Sequence, residues 1–313
     1  MIRYIGRRIL ATIPVMAVVA VVVFGLLHLS PGDPAAIIAG DQATTQEIEK
    51  VRAQLGLDRP LAVQFASWLG DLARGDLGRS IYDGQPVAKM IGQRLEPTIA
   101  LALCTLVVSV LLSVPLGTLA AWKAGTWIDR AIMGFAVLGF SFPVFVIGYG
   151  LIYLFSLTWE LLPVQGYASP AQGIGDFVAH MVMPSLALGW VLTALFARMT
   201  RTSMLEVLGQ DYIRTAQAKG LSTARVLAGH ALKNAAVPIV TTIGIGVALL
   251  IGGVVVTETV FAIPGVGLLT VDAILRRDYP VIQGVVLVFS AVYVLINLAV
   301  DLSYGLFDPR IRY

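Results

Sequence analysis

DYIRTAQAKGLSTARVLAGHALKN, residues 211–234, is polar and basic, yet it lies between two long apolar runs at roughly 181–197 and 235–257. A connection of this length between membrane spans is more often structured or functional than a plain hairpin. The stretch reads as two short helices. Asp211 is an acceptable N-cap; Ile213, Ala216 and Ala218 with Lys219 fill about two turns, and Gly220 supplies the stop. A second helical segment begins on its own cap at Ser222 and runs to roughly Lys233. The residues alone leave two readings open: a solvated loop whose positive charge sets topology, or a docking surface.

Composition sets the class. Hydrophobic residues make up 57% of the 313, charged residues 13%, and the mean hydropathy is +0.83. A soluble domain carries about a quarter charged residues, so this is an integral membrane protein. The single cysteine, Cys104, lies inside an apolar run, which leaves no disulfide framework and no cysteine metal cluster. His28, His180 and His230 share no ligand-like spacing, so no metal site is expected. The net charge of +3 is unevenly placed, which points to topology rather than nucleic-acid binding.

A bilayer core needs about 20 mostly apolar residues per helix. Six segments qualify: 9–29, 98–122, 131–157, 181–197, 236–260 and 281–304. The fold class is therefore all-α, a six-span membrane protein. The first span follows Arg7-Arg8 and ends in HLSPGDP rather than a small-residue cleavage site, so it reads as retained. If the N-terminus is cytoplasmic, the inside segments hold Arg3, Arg7, Arg8, Lys123, Arg130, Arg198, Arg201, Arg214, Lys219, Arg225, Lys233, Arg310 and Arg312. The short outside loops then hold only Arg276 and Arg277, which places both termini inside.

The organisation expected is a cytoplasmic end with the first span (1–29), an extracytoplasmic region (30–97), a core of five spans (98–304) containing a cytoplasmic loop at 198–235, and a cytoplasmic tail (305–313). The outer region reads as folded. Thr44-x-x-Glu47 is a capping box, followed by Ile48, Val51 and Leu55 at helical spacing, with Gly56 as the stop. Leu61 to Ala73 and Val87 to Leu95 are two further amphipathic candidates.

The spans carry almost no ionisable side chain near mid-depth; Arg198, Glu258 and Asp301 lie near predicted helix ends. Ion-coupled transporters keep such residues because they bind the coupling ion. There is also no G-x-x-x-x-G-K-[ST] phosphate loop. Uphill transport by this chain would have to be driven through a docking surface. The fifth span is rich in small residues, Gly244, Gly246, Ala248, Gly252 and Gly253, which suits either an interface or tight packing within one subunit.

A-x-A-K-G-L-S at 216–222 and H-A-L-x-N-A-x-x-P at 230–238 resemble the cytoplasmic coupling loop of ABC-importer permeases, in the version of the peptide and nickel group. SPGDP at 30–34, QLGLDRP at 54–60, FAIPGVGLL at 261–269, RDYP at 277–280 and the closing DPRIRY extend the resemblance over essentially the whole chain. Arg214-Thr215-Ala216 stands where the general importer signature has Glu-Ala-Ala, leaving Ala216 and Gly220 as the conforming positions. The resemblance implies the type I importer fold, with Asp211, Tyr212, Ala216, Lys219, Gly220 and Leu221 coupling to an ATPase. It implies as partners a second related permease, two ATP-binding subunits that carry the ATP and Mg, and an extracytoplasmic binding protein, in the inner membrane of a bacterium. The chain itself would hold no cofactor and would not be an enzyme. Small, weakly polar residues, Ser141, Ser185, Thr193, Thr241 and Thr242, are the expected pathway lining. Peptides are the expected substrates, with glutathione, nickel chelates, opines and sugars as alternatives within the same architecture. A passive facilitator is the competing function; a membrane-embedded enzyme lacks any motif to support it.

Overall fold

The computed structural model describes residues 2–29, 33–39, 43–54 and 56–307. Residues 30–32 of SPGDP, Leu55 and the DPRIRY tail lie outside the described residues. The described chain is helical, with one isolated bridge between Arg79 and Pro86. In order, the helices are α1 (Ile2–Leu29), α2 (Pro34–Ala39), α3 (Thr45–Gln54), α4 (Leu61–Ala73), α5 (Val87–Trp122), α6 (Trp127–Ser141), α7 (Val144–Leu151), α8 (Ile174–Leu208), α9 (Asp211–Ala218), α10 (Thr223–Arg225), α11 (Leu232–Val260), α12 (Val266–Arg276) and α13 (Tyr279–Phe307). Two π-helical turns extend them, Ile152–Thr158 after α7 and Val226–Ala231 between α10 and α11.

Among the described residues, four helices are long and apolar enough to cross a membrane: α5, α8, the continuous run Thr223–Val260, and α13 over Tyr279–Ala299. α6 and α7 qualify together but meet at a bend of 106°. The first expected span falls on α1, whose apolar part Leu10–Gly25 is shorter than these. The bend divides the span expected at 131–157 into two helices. Its cause is local: Pro143 disfavours helical backbone at the residue before it, and Phe142 is extended at φ −103°, ψ 128°. Pro143 then starts α7, where its missing N–H costs nothing.

Three other boundaries differ from expectation. Val87–Leu95 is not a separate helix but the start of the 36-residue α5, which runs through Pro97 and Pro115. The fourth span is 35 residues long, because polar ends that lower its hydropathy still continue the helix. The segment after Ser222 is not separate either: it passes through the π turn into α11 as one helix of 38 residues. Leu61–Ala73 forms as expected.

By its contacts the chain divides into two compact units. One comprises 1–5, 95–268 and 293–313; the other comprises 6–94 and 269–292. In the first, α8 is central and packs against α6, α7 and α11. Its core joins Leu188, Leu192 and Phe196 of α8 to Leu250 and Val254 of α11. The contact is close because of two small residues: a Cβ on Gly246 would overlap the Phe196 ring, and one on Gly253 would overlap Leu188. At these two positions the small residues of the fifth span serve packing within the chain, whereas Gly252 faces open space. Asp129 at the start of α6 accepts two hydrogen bonds from Arg201 of α8, at 2.6 and 2.7 Å.

In the second unit, Phe24 of α1 packs edge-on against Phe65 of α4, with ring centroids 5.2 Å apart. Gln283 donates to the Val23 carbonyl at 3.1 Å, bringing α13 to α1. The Thr44 capping box forms as read, with Thr44 N donating to Glu47 Oε2 at 2.7 Å. Those bonds from Thr44 hold the Glu47 carboxyl below its usual pKa.

Candidate functional site

α9 occupies the connection between α8 and the fifth span. Its N-cap is Gln210, in extended conformation, one residue before the Asp211 expected from the sequence. Asp211 instead opens the first turn, where a carboxylate opposes the positive end of the helix dipole. The helix ends as expected. Gly220 has φ +80°, its N–H donates to the Gln217 carbonyl at 2.9 Å, and Leu221 N–H reaches back to Ala216 at 3.3 Å. This is the Schellman arrangement, in which glycine avoids the cost of a Cβ in left-handed backbone.

The helix is two-faced. Ile213 is 1% exposed and Ala216 8%, and both belong to a cluster with Ala121, Met204, Val226, Ala231, Ala235 and Ile239. Leu221 packs against the same cluster. Ala216 and Leu221, both expected to couple to an ATPase, therefore pack against this chain's own cluster. Their spacing explains it: Ile213 and Ala216 are three apart on one stripe, and the residue after a glycine cap folds back on the helix it ends. The opposite face is open: Asp211, Tyr212, Arg214, Thr215 and Lys219 are exposed. Asp211 and Arg214 pair along it at 3.4 Å.

The five residues expected to line a pathway differ in exposure. Ser185, Thr193 and Thr242 are buried inside this chain, at 1%, 4% and 5% exposure. Thr241 and Thr242 spend their hydroxyls on the Val237 and Pro238 carbonyls of their own helix. Ser141 is exposed beside the α6–α7 bend, with its hydroxyl on the Val137 carbonyl. Ser185 Oγ is buried without a hydrogen-bond partner among the described residues.

At the other end of the long helices lies a buried site that sequence reading passed over. Glu258, in the last turn of α11, is 0% exposed. Its Oε1 accepts the Thr98 hydroxyl at 2.6 Å, and its Oε2 accepts Leu268 N–H at 2.9 Å. Thr98 Oγ1 in turn accepts Val266 N–H at 2.8 Å. The two side chains thereby satisfy the first amides of α12, whose orphan donors favour an anion. Gly265 and Gly267 allow this: a Cβ on either would overlap the Glu258 carboxylate. An acidic residue closing an apolar run just before I-P-G-V-G was the available signal. Nearby, Glu96 Oε1 accepts Tyr167 Oη at 3.0 Å and Ser169 Oγ at 2.6 Å, fastening the loop before α8. Burial, then the carboxylate, push the Tyr167 phenol up to about 12.

With this geometry in hand, residues 113–313 match the family described as the binding-protein-dependent transport system inner membrane component, and residues 1–102 match its N-terminal region. The chain belongs to this family. The permease is 54% identical over 310 residues to a probable peptide ABC transporter permease protein, y4tP, of Sinorhizobium fredii, with 99% of each chain covered. It is 44% identical over 313 residues to the glutathione transport system permease protein GsiC of Escherichia coli, covering 100% of each. It is 41% identical over 337 aligned positions to the dipeptide transport system permease protein DppB of E. coli K12, covering 100% of this chain and 99% of that one. Its fold resembles the MetNI methionine ABC transporter in an inward-facing crystal form, with a TM-score of 0.58 at 18% identity, over 70% of this chain and 96% of that one. The permease is thus an all-α, multi-pass component of the inner membrane.

Proposed function

We propose that this permease forms half of the translocation pathway of an ATP-driven importer for di- to oligopeptides. A second related permease completes the pathway, two ATPase subunits bind the ATP and Mg, and an extracytoplasmic binding protein delivers the substrate. Both termini and α9 face the cytoplasm, as the distribution of Lys and Arg favours. The observation that carries the reading is the two-faced α9: a short helix seated on its own chain by Ile213 and Ala216 presents Tyr212, Arg214, Thr215 and Lys219 outward. ATP binding closes the two ATPases, draws the docked helices together and turns the pathway from inward-open to outward-open. The full-length similarity to y4tP and DppB supports peptides as the cargo.

The test is uptake of a labelled dipeptide by cells with and without this gene, alongside recovery of a P-loop ATPase with the tagged permease. Loss of uptake in the deletion strain together with stoichiometric ATPase is the expected result. Unchanged dipeptide uptake rejects the cargo, and a permease that purifies without ATPase yet transports rejects the energised mechanism. The similarity to GsiC favours a second cargo, glutathione, and the same strains fed labelled glutathione decide between the two.

A further inference from the structure

Within the unit formed by 6–94 and 269–292 lies a cavity of ≈160 Å³ whose polar wall is Tyr82, Asp83, Arg94, Asp272, Arg276 and Asp278. Asp278 is 4% exposed and already engaged: its carboxylate accepts the Ser80 hydroxyl at 2.5 Å and Ile81 N–H at 3.3 Å. Arg94 is engaged as well. Asp272 and Arg276 are different. They stand one turn apart on α12, a spacing at which an acid and an arginine normally pair. Yet among the described residues neither makes an ion pair, with the other or with anything else. A carboxylate and a guanidinium are left open on one cavity wall.

The turn beside them is strained. Arg277 has φ +58°, and the bonds Arg277 N–H to Ile274 and Asp278 N–H to Ala273 complete a glycine-type helix cap without glycine. A residue with a Cβ is disfavoured in that left-handed conformation. The turn joins Arg276 to Asp278, both of which line the cavity. Strain of this kind concentrates at ligand sites.

We propose that this cavity is a binding site for the two charged ends of a short peptide, with Asp272 taking the α-ammonium and Arg276 the α-carboxylate. The dimensions agree. Four residues of helix separate the two positions by about 6 Å along the axis, and an extended dipeptide spans about 7 Å from end to end. The cavity is below the roughly 300–1,000 Å³ of drug-sized sites, so it suits a dipeptide backbone rather than a folded partner. Arg276 holds a carboxylate through a planar fork of donors, which favours peptides with a free C-terminus over amides. The site is open to side-chain variety, since the charged groups read only the termini. The inference rests on the peptide reading of function and assigns to it a site at the face that reading puts outside the cell.

The experiment uses the complete transporter in lipid nanodiscs and the photoreactive dipeptide alanyl-p-benzoylphenylalanine. Adducts mapping to 82–94 or 269–281 are expected, weaker by about tenfold when the probe is N-acetylated or C-amidated, as loss of one charge-assisted bond requires. Asp272→Asn should abolish the preference for the free amine, and Arg276→Gln the preference for the free carboxylate, with both variants still assembled with their partner subunits. Adducts elsewhere, or variants that keep both preferences, overturn the site. So does a result in which the variants lose the binding protein but keep labelling, since the cavity would then be a docking surface. Dipeptide uptake by intact cells separates the two levels: uptake without cavity labelling removes the site alone, and no uptake removes the peptide reading with it.

Discussion

A Cβ at Gly265 or Gly267 has no room beside the Glu258 carboxylate, and at Gly267 it would also stand 2.7 Å from the Val255 Cα. Backbone and a buried, bonded carboxylate cannot step aside as a flexible side-chain tip can. Gly265→Ala and Gly267→Ala are therefore expected to destabilise by about 1–3 kcal/mol, as overpacked sites do. Gly252→Ala, which meets nothing within 4 Å, should stay within about 0.5 kcal/mol. Thermal melts of the purified protein in detergent check the contrast. Glu258→Ala should cost a similar amount for another reason, the stranding of the Thr98 hydroxyl and the Leu268 amide. The Thr44–Glu47 box makes a pH-dependent prediction. The folded pKa of Glu47 lies below its ordinary 4.5, so its contribution is present above that value and is lost as pH falls through the folded pKa. Protection of the first amides of α3 from hydrogen exchange should fall in that acid range; Glu47→Gln should remove the pH dependence, whereas Thr44→Ala, which keeps the amide bond and loses only the hydroxyl, should weaken it.

α9 separates two kinds of mutation that its sequence does not distinguish. Tyr212→Ala and Lys219→Glu alter the exposed face and should leave stability within about 0.5 kcal/mol while weakening recovery of the ATPase. Ala216→Arg forces a charge into the cluster with Met204 and Val226, and should loosen the helix itself. Co-purification together with limited proteolysis between 208 and 223 distinguishes the two outcomes. An equal loss of ATPase with no added proteolysis for Ala216→Arg would contradict the inward seating. The helix and its glycine stop were legible because capping and left-handed backbone are written into single residues. The inward turn of Ala216 and Leu221 was not, because it depends on Met204, Val226 and Ile239, which come from other helices. The α6–α7 bend was half legible: Pro143 marks a break, but apolar content on both sides masks it as one span. The Glu258 site was hidden for the same kind of reason, since Thr98 lies 160 residues away in the chain.

Across the molecule, the all-α membrane class was readable from composition and apolar length, which need no knowledge of packing; against the six spans expected, the described residues hold four helices long and apolar enough to cross, or five if the bent α6–α7 pair is one span. Which of the small polar residues are buried was not legible: Ser185, Thr193 and Thr242 look like Ser141 in sequence, and only helix rotation sends them inward. Orientation is testable directly. A cysteine at Ser169 should label from outside intact cells, and one at Gly209 only after permeabilisation; external labelling at Gly209 would remove α9 from the ATPase side. The continuous helix Thr223–Val260 joins these two ends. Its 38 residues amount to a rod of roughly 57 Å, with the α9 turn at one tip and Glu258 at the other. A rod rocking by about 10° about its middle moves each tip by about 5 Å in opposite senses, by simple leverage on that helical length. A stroke delivered at α9 on the proposed mechanism would arrive at the Glu258 latch as a displacement of comparable size, and stapling either tip to its neighbour should then stall the other.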